Sequence, residues 1–467
     1  MMKLFLLAAL SFLFSGIAHT QPVSPFGAVP SPSQLKWHAM EYNMFIHFGP
    51  NTFTNKEWGH GDEDPNVFNP VQLDCRQWAA TAYQAGMKGI IITAKHHDGF
   101  CLWPSHYSQH TVRESRWKDG QGDVLRELSE ACKEQGLKFG VYLSPWDRNH
   151  PDYGTEKYNE TFVSMLQEVL GNYGEVFEQW FDGANGEGPN GKKQVYDWKL
   201  FNGTVLTKQP DAIIFSDGGP GCRWVGNENG FAGETNWCTL NVNNVYPGYP
   251  RAEELTRGHE DGTAWVPAEC DVSIRPGWFY SPESNGKVKT LQQLIEIYYG
   301  SIGRGANLLL NVPVDRRGLI AKEDSTRLME FRQSIDHSFA ENLATPARIR
   351  SSSRNGYAAK NLTDGNLATS WAPEGNKTTN TIVLQFEKSI EFNRVVLQED
   401  VALGQRVKSF SVEVGDGNVF KEIARQTTIG FKRILRFPDA HGSQIRIRIL
   451  EAKATPVISE VGVYFSD

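Results

Sequence analysis

The 467-residue sequence lacks the features that mark several common protein classes. It has no long basic run and a formal net charge of -7, which argues against an electrostatic surface for nucleic acid. After residue 20 it has no apolar run of about 20 residues, the length that a membrane-spanning helix requires. Its six cysteines include no C-x-x-C pair, which excludes a zinc-finger pattern. A G-x-G-x-x-G turn after an early strand, typical of dinucleotide-binding folds, is also absent.

The N-terminus carries the longest apolar segment of the chain. Lys3 precedes an apolar core over residues 4–14, and small residues follow at Ser15, Gly16 and Ala18. This pattern predicts a signal peptide over residues 1–20 and an exported protein, either periplasmic or secreted. Export permits disulfides, but a chain of this size can bury enough core without them. We therefore expect the cysteines to be mainly buried thiols, with room for one bridge.

The region from about residue 35 to 320 alternates apolar, strand-like runs with amphipathic segments, which predicts βα repeats around a parallel sheet. Apolar runs that end in polar residues lie at 44–46, 89–94, 138–143, 176–181, 212–215 and 306–310. We interpret residues 21–344 as a catalytic (β/α)8-like barrel, a fold whose active site lies at the carboxyl ends of the strands.

The last part of the chain has a different pattern. Short runs with period-2 alternation occur at 381–386, 393–397, 410–414 and 444–449, with turn residues between them. Residues 345–467 are therefore predicted to form a separate β-sandwich.

Asp182 is the most informative single residue. It ends the apolar run at 176–181, and the small or turn-prone residues 183–186 after it would let a substrate come close. An Asp at this place can simply start a turn. At the rim of a barrel it can also act as a catalytic carboxylate.

His47, His96 and His97 also follow strand-like runs. Neighbouring side chains of a regular strand face opposite ways, so His96 and His97 can both reach the rim only where the strand breaks into a loop. Three imidazoles together with Asp182 can bind sugar hydroxyls or hold a metal ion. If these residues hold a metal ion, the protein would be a metal-dependent hydrolase. Each histidine can equally be a core residue bonded to a backbone carbonyl.

Hydrolysis of a glycosidic bond by two carboxyl groups requires a partner for Asp182. The candidates are Asp217 at the next predicted strand end, Glu228 and Glu234. Glu228 has a glycine two residues away on either side, so it lies in a loop that can close over the rim. Residue chemistry alone ranks Glu228 only slightly above Glu234. Aromatic residues, which suit the apolar faces of sugars, make up 12% of the chain and include 13 Trp.

Several segments, in this order, carry a family resemblance. They are Phe45-Ile46-His47-Phe48-Gly49, Glu57-Trp58, Thr93-Ala94-Lys95-His96-His97-Asp98-Gly99-Phe100-Cys101-Leu102-Trp103, Gly140-Val141-Tyr142, Trp180-Phe181-Asp182-Gly183 and Asn307-Leu308-Leu309-Leu310-Asn311-Val312. The chain resembles the α-L-fucosidases of glycoside hydrolase family 29 over about residues 35 to 320. The resemblance implies a retaining, exo-acting hydrolase on a βα-barrel that needs no metal or other cofactor for catalysis.

The resemblance also implies roles for individual residues. Asp182 matches the nucleophile, and Glu228 is the expected acid/base, with Glu234 as its rival. The segment around Glu228 is similar to the subgroup that acts on α-1,3/1,4-linked fucose in branched, Lewis-type glycans, so the implied partners are fucosylated oligosaccharides or glycoconjugates. The residues expected to bind the sugar are His47, Glu57, Trp58, His96, His97, Tyr142, Trp180, Arg223 and Trp278.

The C-terminal segment Leu362-Thr363-Asp364-Gly365-Asn366-Leu367-Ala368-Thr369-Ser370-Trp371 resembles the early motif of discoidin-like, family 32-type carbohydrate-binding sandwiches. Such modules often hold a structural Ca²⁺, and Asp364 with neighbouring carbonyls would suit one. The domain either binds sugar or buttresses the barrel, and we prefer the buttress. A third hypothesis for the whole chain is a non-catalytic sugar-binding protein, although the paired carboxylates argue against it.

Overall fold

The computed structural model describes residues 22–466, so the predicted signal peptide at 1–20 lies outside the described residues. The described part of the chain forms a closed βα-barrel followed by a β-sheet domain. Its helices are α1 (Pro32–His38), α2 (Pro50–Thr54), α3 (Cys75–Gln84), α4 (Val124–Gln135), α5 (Glu156–Asn172), α6 (Trp198–Lys208), α7 (Ala252–Arg257), α8 (Leu291–Gly300) and α9 (Lys322–Ser338).

The strands of the N-terminal part are β1 (Tyr42–Ile46), β2 (Gly89–Lys95), β3 (Lys138–Leu143), β4 (Glu178–Trp180), β5 (Ile213–Ser216), β6 (Cys222–Trp224), β7 (Thr239–Leu240), β8 (Ala264–Trp265), β9 (Ala268–Ser273) and β10 (Asn307–Asn311). Those of the C-terminal part are β11 (Arg348–Arg350), β12 (Asn380–Glu399), β13 (Val407–Asp416), β14 (Val419–Gln426), β15 (Arg433–Ala452) and β16 (Ile458–Tyr464).

The barrel closes in the order β1-β10-β9-β6-β5-β4-β3-β2, and every neighbouring pair in it is parallel. This confirms the predicted (β/α)8-like fold. The short strands β7 and β8 form a separate antiparallel pair outside the ring. Because all strands of the ring run the same way, their carboxyl ends meet at one rim.

Two strands of the ring, β6 and β9, are absent from the sequence prediction. Strand β6 has only three residues, too few for a recognisable pattern. Strand β9 alternates Glu269, Asp271 and Ser273 with small or apolar residues, and all of them are buried. The inward-facing carboxyl groups interrupt the apolar run by which the other strands were recognised.

Helix α4 shows how local sequence sets the repeat. Asp123 caps its start by accepting a hydrogen bond from the backbone N–H of Arg126, and Gly136 follows its end with a φ of 70°, which glycine adopts without strain. Leu125, Leu128 and Cys132 form a buried face with helical spacing. The helix thereby packs on the barrel and delivers the chain to β3.

Aromatic and aliphatic side chains fill the interior of the barrel, among them Phe45, Ile91, Tyr142, Trp180, Phe215 and Leu309. Alternation along β4 points both Glu178 and Trp180 inwards. Glu178 accepts a hydrogen bond from Trp37 Nε1 at 2.8 Å, and Trp180 Nε1 donates to Glu269 at 3.1 Å. Asp182 lies two residues after Trp180, as Trp180 does after Glu178, and is just beyond the end of the strand.

The C-terminal domain is an antiparallel sheet in the order β11-β12-β15-β13-β14, with β16 paired to β12. This confirms the predicted discoidin-like β-domain. The runs predicted separately at 381–386 and 393–397 belong to the single strand β12, whose pairing with β15 is interrupted by two register shifts. A core of its own includes Trp371, Phe410 and Ile447.

All six cysteines are buried free thiols, so the one bridge that export would permit does not form. Among the described residues, no helix is both long and apolar enough to cross a membrane.

Candidate active site

A pocket with two lobes lies at the carboxyl ends of the barrel strands. The His-lined lobe has a volume of about 220 Å³ and includes Phe45, His47, Trp58, His96, His97, Tyr142 and Trp278. The Asp217 lobe has a volume of about 300 Å³ and includes Gly183, Phe215, Asp217, Trp224, Gly248 and Tyr249. Five residues line both lobes, namely Trp180, Asp182, Ala184, Glu228 and Asp271. The two lobes therefore meet at the carboxyl groups.

Asp182 is held by donors on both of its oxygens. The hydroxyl of Tyr142 donates to Oδ2 at 3.0 Å, and the backbone N–H of Ala184 donates to Oδ1 at 2.7 Å. His97 Nε2 lies 3.6 Å from Oδ2, and 29% of the Asp182 side chain remains exposed. Gly183 permits a close approach of two backbone segments, since a Cβ there would lie 2.5 Å from the backbone nitrogen of Gly248. Asp182 is thus oriented, yet open to a ligand.

The two adjacent histidines both face the pocket because the pairing of β2 with β3 shifts register between Thr93 and Lys95, just before them. Ser144 Oγ lies 2.8 Å from His97 Nδ1, and Asn311 Oδ1 lies 2.8 Å from His47 Nδ1. These hydrogen bonds fix the orientation of both rings.

Burial keeps the three imidazoles neutral. It lowers the pKa of His47 to about 3 and that of His97 to about 4, although the Asp182 charge partly opposes the second shift. Burial and the neighbouring histidines lower the pKa of His96 as well. His96 Nδ1 is buried and has no hydrogen-bond partner among the described residues. Neutral imidazoles with free ring nitrogens suit the hydroxyls of a sugar.

The histidines do not gather at the spacing of metal ligands. Within residues 22–466, the side chains whose ligand atoms lie within 4.8 Å of one another are Glu178, Cys222 and Glu269, deep in the barrel. The alternative hypothesis of a metal-dependent hydrolase gains no support from this geometry.

Glu228 lies in the loop after β6, exposed at the mouth of the pocket. Trp278 Nε1 donates to its Oε2 at 3.3 Å. Although the residue as a whole is exposed, partial desolvation of its carboxyl group at the pocket raises the pKa of Glu228; the Trp278 hydrogen bond opposes this shift, and the charge of Asp182 adds to it. The raised pKa lets this carboxyl group keep its proton to a higher pH than an ordinary glutamate, as an acid catalyst requires.

Trp58 lines the outer side of the His-lined lobe, whereas Glu57 is not among the residues that line either lobe. Glu57 accepts a hydrogen bond from the backbone N–H of Trp278 at 2.8 Å and so holds the backbone that carries that ring. Trp58 is 54% exposed and meets His97 edge to face, with ring centroids 5.5 Å apart. An exposed indole at the pocket edge offers an apolar face to a sugar.

Arg223 does not reach the pocket, which corrects the sequence-based expectation. Cys222 on β6 packs in the barrel interior, so alternation turns Arg223 outwards. Its fully buried guanidinium donates to the carbonyl of Leu255 and to Asn236 Oδ1, each at 2.8 Å, and to the carbonyl of Val266. Arg223 therefore supports the wall of the barrel.

Glu234, the rival of Glu228, also lies away from Asp182. Its side chain lines a cleft between the barrel and the sheet domain, together with Arg433 and Arg436. Of the three candidate partners, the structure brings Asp217 and Glu228 into the pocket, and Glu228 is the one that lines both lobes with Asp182.

Asp271 is a pocket residue that sequence reasoning missed. It is buried on β9, lines both lobes and accepts a hydrogen bond from Trp224 Nε1 at 2.9 Å. Burial raises its pKa well above the usual range, and the charges of Glu228 and Asp182 contribute. The signal was the period-2 spacing of Glu269, Asp271 and Ser273, which indicates a strand with its polar face in the barrel.

Comparison with known proteins covers both domains. Residues 26–335 match the alpha-L-fucosidase family, and residues 348–461 match the F5/8 type C domain. Alpha-L-fucosidase 1 of Arabidopsis thaliana is 42% identical over 456 residues, which cover 96% of this chain and 88% of that protein.

Solved structures agree over nearly the whole chain. The crystal structure of SpGH29 has a TM-score of 0.91 at 38% identity and covers 96% of this chain and 100% of that one. A Ruminococcus gnavus family 29 fucosidase in complex with fucose has a TM-score of 0.89 at 34% identity, covering 96% and 97% of the two chains.

Paired carboxyl groups at the rim of such a barrel can cleave a glycosidic bond, and the fold and pocket are those expected of a glycoside hydrolase. The matches narrow this class further. The chain belongs to the α-L-fucosidase family, glycoside hydrolase family 29.

Replacing Arg223 with methionine is expected to lower the melting temperature and to leave inhibition by free fucose unchanged. The change leaves two backbone carbonyls and Asn236 without their buried donor, at about 1–3 kcal/mol for each group. Thermal unfolding and the fucose inhibition constant measure the two effects. The surface change Arg332→Met is the control. Weaker inhibition by fucose at an unchanged melting temperature would show that Arg223 binds the sugar.

Proposed function

We propose that this α-L-fucosidase is a retaining, exo-acting enzyme that removes terminal α-1,3/1,4-linked fucose from branched, Lewis-type glycans. Asp182 is the nucleophile, and Glu228 is the acid/base. The observation that carries the proposal is that both carboxyl groups line the same two lobes, at the place where the lobes meet. A sugar in one lobe and its aglycone in the other would place the scissile bond beside both groups.

The mechanism follows from the two carboxyl groups. Asp182 Oδ attacks the anomeric carbon while the bond to the aglycone breaks, and Glu228 gives its proton to the departing oxygen. A covalent fucosyl ester on Asp182 results. Glu228, now ionised, takes a proton from a water molecule, whose oxygen attacks the same carbon and releases Asp182. The two displacements retain the configuration of the sugar.

The His-lined lobe is the proposed fucose site. The neutral imidazoles of His47, His96 and His97 and the hydroxyl of Tyr142 supply donors and acceptors for sugar hydroxyls. Trp58, Trp180 and Trp278 cover apolar faces of the ring. Glu57 contributes by holding Trp278, through its hydrogen bond to the Trp278 backbone.

The Asp217 lobe supports the linkage preference. It extends the pocket beyond Glu228 and is larger than the fucose site, which leaves room for a second sugar attached next to the fucosylated position. Burial raises the pKa of Asp217 to about 6, and its Oδ2 accepts a hydrogen bond from the Gly248 backbone. Asp217 and Asp271 offer polar atoms to the hydroxyls of that second sugar.

Asp182→Ala is expected to lower kcat/KM for an aryl α-L-fucoside by more than about 1,000-fold with the fold intact, because the covalent step is lost. Glu228→Ala should lower kcat/KM for a Lewis trisaccharide by about 100- to 10,000-fold and remove the alkaline fall of the pH profile. In the wild type that fall marks loss of the Glu228 proton, which the raised pKa retains closer to neutral pH.

Glu234→Ala is the matched control, since Glu234 is an exposed glutamate of the same loop outside the pocket. Azide should restore turnover of an aryl fucoside to Glu228→Ala, because a small anion can replace the water that needs a base. Rescue of Glu234→Ala instead would exchange the two assignments, and full activity of Asp182→Ala would refute the nucleophile.

The linkage proposal predicts release of fucose from Lewis a and Lewis x trisaccharides and very little from 2'-fucosyllactose. Asp217→Ala should lower kcat/KM for the Lewis glycans by about tenfold, the loss expected for one hydrogen bond to a charged group, and spare an aryl fucoside. Released fucose is quantified by chromatography. Equal rates on 2'-fucosyllactose and on the Lewis glycans contradict the linkage preference.

Two further proposals concern the ends of the chain. The apolar segment at residues 1–20 supports export to the periplasm or the medium.

In the C-terminal domain, Asp364 and Glu460 face the same loop, where Glu460 accepts a hydrogen bond from the Gly365 backbone at 3.2 Å. Burial raises the pKa of Glu460 to about 7, and the Asp364 charge adds to this shift. Two carboxyl groups beside loop carbonyls suit a structural Ca²⁺.

Removal of Ca²⁺ with EGTA is expected to lower the melting temperature of the full-length protein, and added Ca²⁺ should restore it. The cation would relieve the repulsion between the two carboxyl groups, so Asp364→Asn should weaken the response. Calorimetry measures the shift, and Asp416→Asn, at the end of β13 in the same domain, is the control. Identical transitions with EGTA and with Ca²⁺ would argue against the site.

A further inference from the structure

The segment that carries Glu228 connects the barrel to the sheet domain. We name residues 225–238, between β6 and β7, the Glu228 loop. It has no regular secondary structure apart from one isolated bridge between Asn229 and Val272. Its backbone N–H and C=O groups therefore need partners from elsewhere. Glu228 itself is exposed, and its hydrogen bond from Trp278 is long at 3.3 Å. The position of its carboxyl group consequently depends on the course of the loop.

The first half of the loop is held by the barrel. The backbone N–H of Val225 donates to the carbonyl of Glu269 at 3.0 Å. Asn227 closes a turn around Glu228, with its Nδ2 donating to the carbonyl of Phe231 at 2.8 Å. Farther on, the N–H of Ala232 donates to the carbonyl of Gly300 at 2.9 Å.

The second half is bonded to the barrel through the N–H groups of Gly233 and Trp237, which donate to the carbonyls of Thr256 and Arg257 at 3.0 and 2.7 Å. Its remaining supports are side chains of the sheet domain. Arg433 Nη1 donates to the carbonyl of Glu234 at 2.6 Å, and Thr427 Oγ1 donates to the same carbonyl at 3.0 Å. Thr428 Oγ1 accepts from the N–H of Asn236 at 3.0 Å.

Gln405 makes two further hydrogen bonds to the backbone of the Glu228 loop. Its Nε2 donates to the carbonyl of Asn236 at 2.9 Å, and its Oε1 accepts from the N–H of Cys238 at 2.7 Å. Gln405, Thr428 and Arg433 are each at most 4% exposed. Buried hydrogen bonds to a charged or amide side chain are stronger than exposed ones, because water does not compete for the same groups.

We infer that the sheet domain positions the acid/base of the barrel, and that Gln405, Thr428 and Arg433 act on catalysis through the Glu228 loop. They are positioning residues and touch no substrate. The inference rests on the proposed role of Glu228. A proton donor must lie within hydrogen-bond reach of the departing oxygen, and a displacement of about 1 Å can cost about 100-fold in rate.

The interface between the barrel and the sheet domain also contains contacts that do not involve the Glu228 loop, and these provide a matched control. Arg436 forms a bidentate pair with Glu296 on α8, at 2.6 and 2.7 Å. Arg436→Met thus removes one arginine and one contact between the same two domains without touching residues 225–238. Arg433→Lys is the conservative variant, since it keeps the charge and a donor.

The experiment compares kcat/KM on two substrates for the full-length Arg433→Met, Thr428→Val, Arg433→Lys and Arg436→Met proteins. A Lewis trisaccharide needs a proton on its departing oxygen, whereas 2-chloro-4-nitrophenyl α-L-fucoside, with an acidic phenol, needs almost none. For Arg433→Met we expect a loss of about tenfold on the trisaccharide and less than about twofold on the aryl fucoside. Thr428→Val should show the same bias more weakly, Arg433→Lys should recover most of the loss, and Arg436→Met should show no bias.

Melting temperatures are measured alongside, and Thr428→Val, a near-isosteric change, serves if Arg433→Met does not fold. Equal losses on both substrates in Arg433→Met and Thr428→Val, or the same bias in Arg436→Met, would overturn the inference. Glu228→Ala, measured in parallel, separates it from the proposed function. If Glu228→Ala shows the leaving-group bias and the Arg433 and Thr428 variants do not, only the positioning role fails; if Glu228→Ala shows none, its assignment as acid/base fails and the inference with it.

Discussion

Closure of the parallel barrel is the constraint on which the rest of the structure depends. Parallel strands in a closed ring must all present their carboxyl ends at one rim, and alternation sends every second side chain inwards. Tyr142 on β3, Asp182 after β4 and Asp271 on β9 are far apart in the sequence and meet for this reason alone. The position of the pocket is therefore set by the topology of the barrel rather than by any single contact.

The second constraint is electrostatic. Asp182, Asp217, Glu228 and Asp271 line one lobe, and burial in a medium of low dielectric opposes the ionisation of carboxyl groups placed so close together. The raised pKa values of Asp217, Glu228 and Asp271 reflect this opposition. Asp182 is oriented among these groups by a donor on each oxygen, the Tyr142 hydroxyl and the Ala184 backbone N–H. Neutral histidines around it leave the pocket polar without adding positive charge, which suits an uncharged sugar.

Sequence patterns anticipated the parts of the site that depend on strand ends. An apolar run that stops at a polar residue identified Asp182 and the His96-His97 pair, because this pattern is local. Arg223 was misplaced because the direction of its side chain depends on the parity of a three-residue strand. Asp271 was missed because carboxyl groups inside a barrel break the apolar pattern of the strand. Glu228 and Glu234 could not be separated locally, since the surroundings of Glu234 come from the other domain.

The contacts of the Glu228 loop with the sheet domain join residues that are 167 to 199 positions apart in the chain. Synthesis proceeds from the N-terminus, so all eight strands of the ring exist before Gln405, Thr428 or Arg433 has been made. Closure of the ring therefore needs only residues up to 311, whereas the supports of the Glu228 loop also include residues 405–433. The barrel holds Asp182 with its own residues, Tyr142 and Ala184, whereas the loop that carries Glu228 acquires its last supports only when the final domain folds against it.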